Sequence, residues 1–301
     1  MRTDIDFNVD DPALHPDPTK FSKGYMARNY DACPEGSLAF ASPFPDDQLV
    51  PMSEVLDRIR EKEKYEATPI HTHRRLVERG KVSPVLNQNG IGYCHAFSPT
   101  VMIRMLRAMQ NLEDVELSAS SIGGPVTNFT NSGAYIFNDL QHIARYGVCP
   151  VNYGGEVIYP MTTTKNHWTP TAKQLASKSI CEEYWEGTNR NDHQALSCLL
   201  TDKPVCGGWN WWGHAVTLFW VTYHEASRTL YYIGENSWSE TWSYGLEQFP
   251  QYADLKGFFI FPVGTVDASG KIKLGKYGKY CGTPDEWYAG RSVKSSQISL
   301  V

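Results

Sequence analysis

The hydrophobic rhythm of the chain changes near residue 204, and this constrains the fold more than any other feature. After Gly90-Ile91-Gly92, Phe97, Val101 and Met105, and likewise Met102, Leu106 and Met109, recur at spacings of four and three. Such spacing lines one face of a helix of about four turns, with Cys94 at its amino-terminal end. AYIFNDLQHIARYG predicts a second helix with Ile136, Leu140, Ile143 and Ala144 inward and Gly147 as its stop. A third is predicted over DHQALSCLLTDK, ending at Pro204. Beyond it HAVTLFWVTY, TLYYIGEN and GFFIFP are dense in β-branched and aromatic residues and read as strands. Helices first and strands second predict an α+β fold, a helical half and an antiparallel β half with a cleft between them.

The flanks read differently. Residues 1 to 50 are rich in Asp, Pro and small residues without sustained periodicity, and predict an irregular arm. SEVLDRIREKEK then predicts a short charged helix with Ser53 as its cap. The expected division is an arm over 1–64, a domain over 65–263 and a Gly-, Lys- and Ser-rich tail over 264–301. A formal charge of −5 over 301 residues supplies no basic field for a polyanion, so nucleic acid is not an expected partner. The acidic, proline-bearing start does not resemble a signal peptide, and no apolar run approaches ~18 residues. No membrane partner is expected, and the location expected is cytoplasmic or virion-associated. Seven cysteines without a CxxC pair argue for reduced thiols rather than a disulfide framework or structural zinc.

By position alone Cys94 is as readily a small buried hydrophobe as a nucleophile. A helix amino terminus, however, favours thiolate over thiol. A thiolate nucleophile also needs a base, a group that orients the base, and donors for an oxyanion. Each has a candidate. Gln88 stands six residues before Cys94, His214 opens one predicted strand, and Asn236 follows the next.

KVSPVLNQNGIGYCHAFS resembles the active-site segment of papain-like cysteine peptidases, GHAVTLFWVTY their histidine strand, and ENSWSETW their Asn-Ser-Trp motif. The order Gln, Cys, His, Asn is the same, and the resemblance covers roughly residues 70 to 262. It implies a papain-like two-part fold, closest in character to divergent bacterial and bacteriophage members. It makes Cys94 the nucleophile, His214 the base, Asn236 the group that orients the imidazole, and Gln88 a donor to the oxyanion. Trp238 would shield the Asn236–His214 hydrogen bond, although plain core packing is an equal reading.

Several positions depart from the family pattern. Ile91 and Gly123-Gly124-Pro125 stand where secreted relatives have a disulfide, and His95 replaces the usual Trp after the nucleophile, with packing favoured over proton transfer. Gly133-Ala134 stands for the glycine pair that binds substrate backbone. CGGWNWWG, with Trp211, Trp212 and Gly213, lies near the expected specificity pocket and narrows it. His71 and His73 lack the further ligands that a metal site needs.

The resemblance implies hydrolysis of a peptide or related amide bond through an acyl-thioester, with no cofactor and a protein or peptide substrate. The rivals are a virion-associated structural protein that keeps the fold, and an amidase acting on peptidoglycan cross-bridges. For Cys94 a thiolate formed well below neutrality is expected. For the arm, docking into a larger assembly is favoured over plugging the cleft.

Overall fold

The computed structural model describes residues 23–64, 85–109, 115–163, 165–181, 184–188, 191–209, 213–226, 228–238, 246–250 and 257–262. In chain order these contain β1 (Ala41–Pro43), α1 (Val55–Lys64), α2 (Cys94–Met109), α3 (Ser120–Val126), α4 (Ile136–Tyr146), β2 (Asn152–Tyr153), β3 (Glu156–Val157) and α5 (Pro170–Ala176). There follow β4 (Tyr184–Glu186), α6 (Asp192–Leu200), β5 (Val205–Trp209), β6 (His214–His224), β7 (Thr229–Glu235), β8 (Leu246–Pro250) and β9 (Gly257–Pro262). Seven strands form one sheet in the order β1-β4-β9-β5-β6-β7-β8, antiparallel throughout except for the parallel pair β1–β4. The architecture is the expected α+β arrangement, with the helices ahead of strands β5–β9.

Strand β6 shows why the second half reads as continuous apolar runs rather than as alternation. Ala215 belongs to the core built around α2, whereas Val216 and Leu218 belong to a second core with α1 and α6. From its start to Val221 the strand is covered on both faces, so neither parity of its residues there meets water. Helix α2 is equally committed: Phe97, Val101, Met102, Ile103, Met105 and Leu106 are all buried. Each such side chain contributes about 1.5–3 kcal/mol over leaving it exposed. Polar contacts then set the helix against the sheet. The Thr217 hydroxyl donates to the Ser98 carbonyl at 2.5 Å, and the Ser98 hydroxyl lies 3.0 Å from the Cys206 sulfur. Sliding α2 along the sheet would leave these buried groups unpaired.

Two local expectations are corrected. Ser53 does not cap a helix: Pro51 opens a 3-10 turn over Met52–Glu54 that runs into α1, with no side-chain cap on that turn. Part of the expected irregular arm is ordered sheet, because β1 pairs with β4 from Ala41↔Tyr184 to Pro43↔Glu186. The pairing was invisible because a three-residue strand is too short to show period-two alternation. Gly147 ends α4 as expected, with φ +77° and its N–H on the Ile143 carbonyl. The expected tail, 264–301, and the pair His71 and His73 lie outside the described residues. Among the described residues no helix is long and apolar enough to cross a membrane.

Candidate active site

The sheet and α2 bring the candidate residues to one place. Cys94 is the first residue of α2, and the Tyr93 carbonyl behind it accepts the N–H groups of Ala96 and Phe97 at 2.8 Å each. His214 is the first residue of β6, in register with Trp209. The turn before it closes with the Gly213 N–H on the Trp209 carbonyl at 2.8 Å. Strand β7 pairs with β6, Glu235 opposite Thr217, and so delivers Asn236 beside the start of β6. Ala215, the next residue of β6, packs in the same core as Cys94, so the helix end and the strand end lie side by side.

The histidine tautomer follows from its partner. Asn236 Oδ1 accepts the Ser237 N–H at 2.7 Å and lies 2.8 Å from His214 Nε2. A carbonyl oxygen cannot donate, so Nε2 carries the proton and Nδ1 is the basic nitrogen of the neutral ring. The Trp238 ring lies over the imidazole, with centroids 4.3 Å apart and planes at 32°, and is itself buried. It therefore covers the Asn236–His214 hydrogen bond. Gln88 is buried too. Its Oε1 accepts the Ser237 hydroxyl at 2.6 Å and its Nε2 donates to the Ile91 carbonyl at 2.8 Å, which ties the approach to Cys94 to the Asn236 loop.

The segment 23–28 closes this site. The Gly24 N–H donates to Cys94 Sγ at 3.1 Å. The Ala134 N–H donates to the Gly24 carbonyl at 2.9 Å and the Met26 N–H to the Ala134 carbonyl at 3.0 Å, a parallel bridge centred on Tyr25. Gly133 and Ala134 thus hold an extended backbone, and that backbone is the chain's own. The fit depends on glycine. A Cβ on Gly24 would overlap the Gly92 carbonyl oxygen, one on Gly133 would stand 2.5 Å from the Gly24 carbonyl oxygen, and one on Gly208 would enter the Tyr25 ring. Arg28 ends the segment in a buried ion pair with Glu186 of β4, and its guanidinium also donates to the carbonyls of Cys33 at 2.7 Å and Pro34 at 2.5 Å.

Closure reverses the electrostatics expected of Cys94. Burial pushes its thiol up to about 12, and the backbone bonds from Ala215, Gly24, Tyr25 and His95 only partly oppose this. Burial likewise takes the His214 imidazole down to about 3, against the help of Asn236, and the Lys23 charge adds to the fall. In this closed form burial favours the neutral thiol and the neutral imidazole over the ion pair. For residues 23–28 the geometry is that of the plug ranked second from sequence. Docking, favoured for the arm as a whole, has no partner here against which it can be read, and residues 1–22 of the arm lie outside the described residues.

Other expectations settle less. Trp211 and Trp212 lie outside the described residues. Gly213 has φ +64°, and a Cβ there would meet nothing within 4 Å, so its place is in the turn. His95 packs edge-on to Tyr93 and its Nδ1 lies 2.7 Å from Asp139 Oδ2, both side chains fully buried. Burial raises the Asp139 carboxyl, with His95 opposing. The signal for this pair was a charged residue on the inward face of α4, between Ile136 and Leu140.

No protein-family model and no curated protein matches the sequence. Solved structures do. Digestive procathepsin L2 from the larval midgut of Tenebrio molitor superposes with a TM-score of 0.52 at 20% identity, over 62% of this chain and 66% of that one. Xylellain, a cysteine protease from Xylella fastidiosa, gives 0.52 at 18% identity, over 81% and 96%. The bromelain protease from Ananas comosus gives 0.50 at 16% identity, over 62% and 95%. At such identities the likeness is one of fold. The chain has the papain-like fold, with His214 hydrogen-bonded to Asn236 and Cys94 opening the helix that packs on the same sheet.

Proposed function

We propose that the chain is a cysteine peptidase that hydrolyses a peptide or related amide bond. The observation that carries this reading is the fixed tautomer of His214, whose Nε2 is committed to Asn236 while Nδ1 is left as the basic nitrogen, at the start of the strand whose Ala215 shares a core with Cys94. In the open site Nδ1 takes the thiol proton and Cys94 Sγ attacks the substrate carbonyl carbon. The oxyanion is held by the Cys94 N–H and the Gln88 side-chain amide, an arrangement made before charge develops. The C–N bond breaks, the imidazolium gives its proton to the departing amine, and an acyl-thioester remains. Water then attacks the thioester, again losing a proton to Nδ1. The acid leaves, and the thiol regains that proton.

An epoxide-type thiol-peptidase probe tests the reading, applied to the full chain with Gly24→Ala to open the site. Labelling confined to Cys94, lost in a His214→Ala background, is the expected result. Equal labelling with and without His214 would refute the assignment of the base.

A further inference from the structure

Resting on that reading, we propose that His95 and Asp139 are a positioning pair for the reaction: their buried hydrogen bond sets the start of α4, and with it the backbone of Ala134, against the helix end that carries Cys94.

The two residues stand next to the parts they align. His95 follows Cys94 in the first turn of α2, and Asp139 lies in the first turn of α4. Tyr135, the residue at the amino-terminal cap of α4, is joined directly to Ala134. A shift of that first turn therefore moves Ala134. The Ala134 N–H and carbonyl both bond an extended backbone, so this is the residue that presents a chain to the site. Between the two helix starts, His95 Nδ1 and Asp139 Oδ2 are 2.7 Å apart, close enough to share one proton, and both side chains are fully buried.

Packing alone does not account for the pair. His95 Nε2 and Asp139 Oδ1 are buried with no hydrogen-bond partner among the described residues. Two apolar side chains would fill the same space without leaving polar atoms unpaired. What they would lack is direction, because a hydrogen bond weakens steeply when its angle opens and an apolar contact does not. The residues ahead of Cys94 are tied to the same segment. The Gly92 N–H donates to Asn131 Oδ1 at 2.6 Å, and the Tyr93 hydroxyl donates to the Thr130 carbonyl at 2.8 Å. Ala134 is thus held from both sides, by Asn131 before it and Asp139 after it, with Cys94 between the residues that hold it. Such fixing matters because a displacement of about 1 Å between nucleophile and substrate can cost roughly 10²-fold in rate.

The test uses the full chain with Gly24→Ala, and in that background Asp139→Asn, Asp139→Ala, and His95→Phe combined with Asp139→Ala. It reads kcat and KM on a peptide substrate, labelling of Cys94 by a peptidyl epoxide and by iodoacetamide, and melting temperature. Iodoacetamide carries no peptide chain and reports on the thiol alone. Asp139→Ala is expected to lower kcat and epoxide labelling about tenfold or more, with KM and iodoacetamide labelling changed by less than about threefold. Asp139→Asn keeps an acceptor for His95 and should retain most of the parent's kcat. The double variant, of nearly equal combined volume, should recover the melting temperature lost in Asp139→Ala but not kcat; it also carries the comparison if Asp139→Ala does not fold. Recovery of both in the double variant would overturn the proposal and leave the pair as filling. Equal losses with the epoxide and with iodoacetamide would also overturn it, since the thiol rather than the alignment would then have changed. A background protein that hydrolyses no peptide, yet loses epoxide labelling selectively with Asp139→Ala, would defeat the peptidase reading and leave the positioning pair standing.

Discussion

The amide N–H of Gly24 lies 3.1 Å from the sulfur of Cys94, although the two residues are seventy positions apart. This contact places the amino-terminal segment, rather than water or substrate, against the thiol. The burial that comes with it favours the neutral thiol, against the backbone hydrogen bonds that favour the thiolate.

Acid should destabilise the closed form through buried His214 and half-buried His142. Burial lowers His214 to about 3 and His142 to about 4, the latter packed against Tyr146 and Trp168. With folded values below the unfolded ones, the unfolded chain binds more protons. Stability is then fully present above about pH 6.5 and lost as pH falls toward the folded values. Melting temperatures measured from pH 7 to 4 should fall steadily. His142→Phe should flatten the slope by up to about 1.4 kcal/mol per pH unit, one proton's worth. An unchanged slope in that variant would contradict a neutral His142.

The Arg28–Glu186 pair should be costly to break from one side. Both side chains are buried, so Arg28→Met leaves a carboxylate without its cation, a loss of about 3–5 kcal/mol. Urea denaturation is expected to show that loss, and Arg28→Met with Glu186→Leu to recover much of it.

Asn236 should act through His214. Replacing it with Ala removes the Nε2 hydrogen bond and the preference for the Nδ1-basic tautomer. A hydrogen bond of about 1–3 kcal/mol corresponds to a fall in kcat of roughly 5- to 150-fold. The measurement is kcat on a peptide substrate in a Gly24→Ala background, with melting temperature as the check on folding.

Gln88 has two jobs that can be separated. Gln88→Ala removes the proposed oxyanion donor and should lower kcat roughly 10²-fold. Ser237→Ala removes only the hydroxyl that holds the Gln88 oxygen, and should cost much less. Equal losses in the two variants would mean that Gln88 serves only to fasten the loop.

The helices were legible where burial imposes a rhythm. Phe97, Val101 and Met102 mark α2, and Ile136, Leu140 and Ile143 mark α4, because each must face a core every three or four residues. His214 and Asn236 were legible because they sit at the edges of long apolar strands. Tyr25 was not, since its burial depends on Ala134 and Gly208, residues more than a hundred positions away whose pairing leaves no local period. Gly24 carried a signal only in hindsight of the contact: its missing side chain matters because the Gly92 carbonyl lies where a Cβ would be. Asp139 left no apolar signal: it is a charge on the buried face it shares with Leu140, and only its pairing with His95, forty-four positions away, accounts for it.

The most direct test of the account is the pH profile of Cys94 alkylation, followed by peptide mapping from pH 5 to 9 in the full chain and in Gly24→Ala. Opening removes the burial that raises the thiol and lowers the imidazole, and restores the helix terminus and His214 as stabilisers of the thiolate. The account predicts slow labelling at every pH in the parent and fast labelling already at pH 5 to 6 in the variant. A Cys94 that reacts in Gly24→Ala only above about pH 8, as an ordinary free thiol does, would contradict it.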